Sequence, residues 1–281
     1  MDFLQYDFMQ RAFMAGLITA VVCPLIGMFV VVRRQSLIGD GLGHIAFAGV
    51  TGGYLLGVYP PFAAAVLTVC GAVGIEWLRQ KHREYGDMVL ALFFYAGIAM
   101  AIIFSSMTKM PSVGLLSFLF GSIITVTDKE IMLILAGTVI VAITLYLFFD
   151  RLMLMALDED IALISGVNIF AVNLAFAVVT ALVVVVGMTV AGILLVSALM
   201  IVPVATAHLF KLGFKATLLY SIGYSLFSVI IGLTAAYHLD IAPGGTIVMS
   251  AIFCYLITLL VTQLLYQKRS IIRRNEPVAP L

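Results

Sequence analysis

The chain has 281 residues, of which 63% are hydrophobic and only 10% are charged. Its mean hydropathy of +1.19 exceeds what a soluble core needs. The composition therefore excludes a water-soluble globular protein and predicts an all-α protein that crosses a membrane several times. The formal net charge is +1, so the overall charge gives no sign of a nucleic-acid or strongly acidic partner.

Nine apolar runs are each close to the ~20 residues that a helix needs to cross a bilayer. The predicted spans are 13–32, 38–58, 61–80, 88–106, 130–149, 170–187, 189–207, 216–236 and 246–265. Only Gly187 and Gly192 suggest a break in the long run from residue 170, so eight spans remain an alternative. The apolar stretch 113–126 is too short to cross, and we expect a short re-entrant or surface-lying helix there.

Basic residues separate to one side of the membrane when the spans are divided in this way. Twelve fall on one side: Arg33, Arg34, Arg79, Lys81, Arg83, Arg151, Lys211, Lys215, Lys268, Arg269, Arg273 and Arg274. The other side has only Arg11, Lys109 and Lys129. The positive-inside rule then predicts an outside N-terminus and a cytoplasmic C-terminus.

Asp40 and His44 stand four residues apart near the start of the second predicted span. On a helix this spacing places both side chains on one face, where a carboxylate and an imidazole can bind the same cation. Because an ionisable group inside a bilayer costs roughly 2.5–3.5 kcal/mol on insertion scales, such a pair is typical of an ion path. The alternative is that Asp40 caps the helix at the membrane surface and His44 bonds a nearby carbonyl. GxxxG spacings between Gly39 and Gly57 indicate close packing of this helix.

The charged connection at 150–168 contains a second feature, a predicted short helix. Residues 157–166 include three acidic residues near their start, continue with apolar residues at helical spacing and end in Gly166. An ordinary connector and a docking surface for another protein explain this pattern about equally well. The basic tail at 267–281 is expected to be loosely ordered, its charge serving topology and contact with anionic lipid.

Several signatures of enzymes are absent from the sequence. There is no G-x-x-x-x-G-K-[ST] loop, so the chain does not bind ATP in the usual P-loop manner. H-E-x-x-H and G-x-S-x-G are also missing, which counts against an intramembrane protease or lipase. These absences favour transport over catalysis. A secondary carrier or channel that needs no ATPase and a membrane enzyme are the rival interpretations.

Three stretches resemble the permease subunits of ABC-type zinc and manganese importers. Residues 33–50, with Arg-Arg-Gln-Ser-Leu-Ile-Gly-Asp followed by His-Ile-Ala and Gly-Val, carry the most specific likeness. Residues 158–167 resemble the cytoplasmic coupling segment of that family, and residues 192–207 resemble its late transmembrane motif. The segment 6–12 is more similar to the zinc branch than to the manganese branch.

The resemblance implies a type II importer-like fold, with one transmembrane permease domain over residues 1–281 in the cell membrane. It implies a transport subunit that is not itself an enzyme and carries no permanently bound cofactor. The implied cargo is a divalent metal ion, Zn²⁺ first, with manganese or iron as alternatives. The implied partners are a second copy of the chain, two cytoplasmic ATPase subunits and an extracytoplasmic metal-binding protein, with no nucleic acid.

The same resemblance assigns roles to individual residues. Asp40 and His44 become the metal ligands, as their spacing also suggests. Coupling to the ATPase is assigned to Asp158, Glu159, Asp160, Ala162 and Gly166. The family often has a proline where Glu159 stands and an arginine where Leu163 stands, so the docking contacts are expected to differ in detail.

Overall fold

The computed structural model describes residues 6–108, 118–121 and 127–274. The α-helices labelled here within those residues are α1 (Asp7–Val32), α2 (Leu37–Leu56), α3 (Pro60–Lys81), α4 (Gly86–Met107), α5 (Asp128–Leu157), α6 (Glu159–Ile164), α7 (Ile169–Ala191), α8 (Ile193–His208), α9 (Phe214–Leu239) and α10 (Pro243–Arg274). A 3-10 turn, Arg83–Tyr85, joins α3 to α4. All of these elements are helical, as the composition predicts.

Local sequence signals explain where several helices begin and end. Pro60 opens α3, where its missing N–H is no loss. Thr127 and Glu130 form a reciprocal capping box at the start of α5. The side chain of Asn168 accepts a hydrogen bond from the Ala171 amide at 3.0 Å and so caps α7. At the end of α2, Gly57 has a φ of +67°, a left-handed conformation that favours glycine.

The helices divide into central and peripheral ones. In their most apolar stretches, 67% of α1 and 61% of α7 are buried, against 22% of α4 and α5 and 28% of α10. The central helices therefore build the interior of the bundle. The peripheral helices leave large apolar side chains exposed, which suits a surface solvated by lipid acyl chains rather than by water.

Each of the nine predicted spans coincides with one helix, but their lengths and compositions differ from the prediction. Seven helices among the described residues are long and apolar enough to cross a membrane, so the predicted count of nine is too high by this criterion. Helix α8 is too short, with 16 residues. Helix α2 falls short because its glycines, Asp40 and His44 lower its hydropathy.

The long apolar run divides at Gly192, one of the two glycines that suggested a break. Gly192 has a φ of +83°, and a Cβ there would lie 2.4 Å from the backbone nitrogen of Gly121. The junction of α7 and α8 therefore packs directly against the backbone of residues 118–121. These residues are the described part of the predicted re-entrant stretch 113–126, and the rest of that prediction lies outside the described residues.

Two predicted boundaries are wrong because the helices continue further. Helix α5 runs to Leu157, so the first half of the predicted connection at 150–168 is helical; buried Leu152 and Met155 hold it against the core. Helix α6 is the short helix predicted within 157–166. Helix α10 extends to Arg274, into the tail at 267–281 that is expected to be loosely ordered.

Contacts between helix ends show that the bundle has two distinct ends. Arg33, which follows α1, and Asn173, near the start of α7, are hydrogen-bonded to each other. We call this side, which also holds Arg79 at the end of α3, the basic end. At the opposite end, Arg11 near the start of α1 pairs with Asp128 at the start of α5, at 2.9 Å. The helices therefore alternate in direction, as the separation of basic residues requires.

Candidate metal centre

A tight reversal places the candidate ligands at the start of α2. The four residues between α1 and α2 include Arg34, whose φ of +54° is left-handed, and Gln35, which is buried. Helix α2 then begins at Leu37, so Asp40 lies in its first turn. A carboxylate in this position is favoured by the partial positive charge of the helix N-terminus.

The carboxylate of Asp40 faces the interior of the bundle. The Ser197 hydroxyl, on α8, donates a short hydrogen bond to Asp40 Oδ1. Gly39 permits this approach, because a Cβ at that position would lie 3.0 Å from Ser197 Cβ. The predicted alternative for Asp40 is therefore wrong: the residue at the N-cap is Ser36, and Asp40 bonds a neighbouring helix.

The imidazole of His44 lies on the same side of α2, one turn further on. It is partly buried and packs edge-on against the ring of Phe94, on α4, with ring centroids 4.6 Å apart. Asp40 is close enough for the charges of the two groups to interact. Gly97 brings α4 against α2 at this point, since a Cβ there would lie 2.8 Å from the His44 carbonyl carbon.

The arrangement places two candidate metal ligands one turn apart in a single chain. Within the part of the chain that the structure describes, no three His, Cys, Asp or Glu side chains are grouped so that they could hold a metal ion. A carboxylate and a neutral imidazole are ordinary ligands of Zn²⁺, and a protein site for this ion usually has three or four ligands. Water or a second chain would have to supply the remaining ligands.

Ser197 and Gly97 also belong to this site, although no sequence pattern predicts them there. Ser197 stands in the stretch 192–207 that carried the family resemblance, yet nothing local indicates that it bonds Asp40, 157 residues away. The available signal was weak: a hydroxyl in an apolar run and a glycine in the middle of an apolar helix. Both contacts depend on how α4 and α8 pack against α2.

The residues assigned to ATPase coupling form α6 and its two ends at the basic end of the bundle. The Asp158 carboxylate accepts hydrogen bonds from the Asp160 and Ile161 amides, at 2.8 and 3.1 Å, and so caps α6. Ala162 is fully buried and anchors the helix. Gly166 has a φ of +79° and ends the segment. Asp158, Ala162 and Gly166 therefore define the start, the buried face and the end of this segment.

The outer face of α6 is apolar. Ile161, Leu163 and Ile164 are exposed, Ile164 with 87% of its surface accessible. Glu159 lies on the other side, where it lines a cavity with Glu76 and Asn173. An exposed apolar face on a short helix outside the apolar spans is typical of a protein-docking surface.

The fold and the candidate centre together indicate the class of protein to which the chain belongs. A bundle of membrane-spanning helices with a carboxylate and an imidazole on one interior face, and with an exposed apolar helix at its basic end, is typical of a membrane transport protein. The chain belongs to the ABC 3 transport family, whose sequence profile matches residues 5–262. The resemblance found in the sequence is thereby confirmed.

Three similar proteins carry names that refer to metal transport. The chain is 35% identical to a probable metal transport system membrane protein of Treponema pallidum, over 92% of this chain and 97% of that protein. It is 29% identical to the manganese transport system membrane protein MntC of Listeria monocytogenes, with 92% and 91% covered. It is 27% identical to the high-affinity zinc uptake system membrane protein ZnuB of Haemophilus influenzae, with 90% and 97% covered.

A solved structure has the same fold. The structure of PsaBC from Streptococcus pneumoniae in complex with a Fab is similar, with a TM-score of 0.82 and 27% identity over 92% of this chain and 93% of that one. The chain is thus a membrane permease of an ABC-type metal transport system, and not itself an enzyme.

Proposed function

We propose that this permease imports divalent metal ions into the cytoplasm, with Zn²⁺ as the preferred cargo and Asp40 and His44 as its ligands. The observation that carries the proposal is the position of the two side chains, one turn apart on the face of α2 that α4 and α8 cover. A carboxylate, an imidazole and no thiolate suit a borderline ion such as Zn²⁺.

The small number of ligands suits transport. A structural zinc site closes four protein ligands around the ion and holds it tightly. Two ligands from one chain hold it more weakly, so the ion can leave when the cavity changes shape. A second copy of the chain, related by two-fold symmetry, would bring two more side chains and complete a four-ligand centre. Protons compete with the metal for both ligands, so uptake weakens in acid.

The partners follow from what the chain contains. Its sequence has no P-loop, so ATP hydrolysis needs a separate cytoplasmic ATPase subunit, for which the apolar face of α6 is the docking surface. The positive-inside rule places the basic end, and with it α6, in the cytoplasm. An extracytoplasmic metal-binding protein delivers the ion to the opposite end. This orientation puts the N-terminus outside and the C-terminus inside.

Manganese is the second candidate cargo, because a similar protein from Listeria monocytogenes is named for manganese transport. Isolated sites with nitrogen and oxygen ligands bind Zn²⁺ more tightly than Mn²⁺. In cells, the delivery protein and the metal supply decide which ion arrives. Uptake of radioactive zinc in the presence of excess manganese, and the reverse, separates the two candidates.

The test of the proposed centre is metal uptake by variants that still assemble with the ATPase. We expect Asp40→Asn and His44→Gln each to reduce uptake of radioactive zinc by at least about tenfold, since each removes one of very few ligands. His82→Gln is the matched control, because His82 is an exposed histidine at the basic end. Uptake at the parent level in both ligand variants would rule out this centre. Uptake that persists after nucleotide depletion would instead favour a secondary carrier.

A further inference from the structure

Five polar side chains meet at the basic end, next to the turn that leads into α2. They come from the α1–α2 linker, from α3 and from α7. We call Arg33, Gln35, Glu76, Arg79 and Asn173 the basic-end cluster. Glu76 is only 4% exposed and Gln35 only 8% exposed, so the cluster lies inside the protein.

Hydrogen bonds and ion pairs connect the cluster from one helix to the next. Arg33 donates to the Asn173 side-chain oxygen, and Asn173 lines the same cavity as Glu76. Glu76 pairs with Arg79 at 3.4 Å. The Gln35 side-chain oxygen accepts from Arg79 Nη1 and Nη2, at 3.2 and 3.0 Å. The start of α7 is therefore bonded to Arg33 of the α1–α2 linker, and α3 is bonded to Gln35 of the same linker.

The cluster has unused hydrogen-bonding capacity. Arg33 Nη1 and Arg79 Nε are buried and have no hydrogen-bond partner among the described residues. Arg79 also lines a cavity of about 120 Å³, together with Glu76 and Asn173. Buried polar groups that serve only stability are normally satisfied. Because two donors have no partner and Arg79 lines open space, the side chains of the cluster can exchange hydrogen-bond partners. A structural element that switches between two arrangements needs this property.

Glu159 connects the cluster to α6. It is the first residue of that helix and lines the same cavity as Glu76, Arg79 and Asn173. It is also close enough to Arg33 and Glu76 to interact electrostatically with both. A displacement of α6 moves this carboxylate towards or away from two arginines with free N–H groups. The charges of the cluster then favour a different set of bonds.

We propose that the basic-end cluster transmits movement of α6 to the first turn of α2 and so repositions Asp40. This inference rests on the proposed function, in which α6 docks the ATPase and Asp40 binds the metal. Arg33 and Gln35 belong to the short linker, and the helical backbone from Leu37 carries any change directly to Asp40. The bond from Ser197 to Asp40 is the contact that such a movement makes or breaks. The cluster residues are positioning residues, since none of them touches the metal ligands.

The test measures coupling rather than activity alone. The full chain is reconstituted in proteoliposomes with its ATPase subunit, and radioactive zinc transported per ATP hydrolysed is measured. We expect Asn173→Ala to lower this ratio by about tenfold, within the usual range of coupling between sites, while ATP hydrolysis and zinc binding without nucleotide continue. Asn168→Ala is the matched control. Asn168 is also an asparagine at the start of α7 and caps that helix, but it lies outside the cluster. We expect Asn168→Ala to transport as much zinc per ATP hydrolysed as the parent.

A second variant keeps the inference testable if Asn173→Ala does not assemble. Gln35→Met keeps the length of the side chain and removes only its bonds to Arg79, and it too lowers the transport-to-hydrolysis ratio. A transport-to-hydrolysis ratio at the parent level in Asn173→Ala overturns the inference. If Asn173→Ala does not assemble, the same result in Gln35→Met overturns it. An equal fall of the ratio in Asn168→Ala also overturns it.

Asp40→Ala separates this failure from failure of the proposed function. If Asp40→Ala stops zinc uptake while the cluster variants keep the parent ratio, only the role of the cluster is wrong. If Asp40→Ala transports zinc like the parent, the proposed metal centre fails, and the role of the cluster fails with it.

Discussion

At the scale of single residues, the proposed centre includes a hydroxyl as well as its two candidate ligands. The Ser197 hydroxyl donates a hydrogen bond to the same carboxylate that would hold the metal. A hydrogen bond of this kind fixes the orientation of a ligand and tunes its affinity. The chemistry of the pair is therefore set by three helices, although both ligands stand on one of them.

Removal of this hydroxyl should weaken metal binding without disrupting the fold. We expect Ser197→Ala to lower the zinc affinity of the assembled permease by about 10–100-fold, the usual effect of losing a supporting hydrogen bond to a ligand. Equilibrium binding of zinc to the purified protein is the measurement. Ser225→Ala is the control, because Ser225 is also a buried serine and its hydroxyl has no hydrogen-bond partner among the described residues. Equal affinity in Ser197→Ala and the parent would contradict the role of Ser197.

At the scale of helices, the position of the centre depends on how closely α4 approaches α2. Gly97 faces the backbone of His44, and a methyl group there would overlap it. We expect Gly97→Ala to force the helices apart, to destabilise the protein by about 1–3 kcal/mol as overpacking does, and to reduce zinc uptake. Thermal unfolding and uptake are measured together.

The matched control for this packing prediction is Gly223→Ala in α9. A Cβ at Gly223 meets no atom within 4 Å, so the substitution adds a good helix former in open space. We expect it to leave uptake unchanged and to stabilise the helix by about 0.5–1 kcal/mol. If Gly97→Ala unfolds at the same temperature as the parent and transports normally, close approach at this point is not needed.

The exposed face of α6 gives a second prediction at this scale. We expect Ile164→Glu to reduce co-purification of the ATPase subunit by about tenfold or more, because an unpaired carboxylate in an apolar interface is costly to desolvate. Leu212→Glu is the control, since Leu212 is an exposed apolar residue in another connection at the basic end. Retention of the ATPase at the parent level by Ile164→Glu would exclude this face as the docking surface.

The helices themselves were predictable, and their contacts were not. Apolar runs located each long helix because they depend on local composition, but the predicted spans 170–187 and 189–207 divide the long run before Gly192, where the helix breaks. The ends of α5 and α10 were placed too early, since amphipathic residues continue both helices beyond their apolar runs. The bond between Ser197 and Asp40 and the basic-end cluster join residues far apart in the chain. No local pattern encodes them, because they arise when the helices pack.

At the scale of the whole molecule, the two ends of the bundle differ in charge, and this gives a prediction of topology. With the three native cysteines replaced by alanine, we expect His82→Cys to react with a membrane-impermeant thiol reagent only after the cells are permeabilised. Asp240→Cys, at the opposite end, should react in intact cells. Labelling in the reverse order would invert the proposed orientation, and with it the side on which the ATPase binds.

The low hydropathy of α2 and the short length of α8 bear on how the protein is made. Neither helix is both long enough and apolar enough to insert into a membrane on its own during synthesis. Their place in the bilayer then depends on the helices that pack against them, α3 and α4 for α2 and α1 and α9 for α8. The glycines and ionisable groups that suit α2 to the proposed metal centre therefore make its membrane integration a cooperative event, which is completed only when its neighbours have arrived.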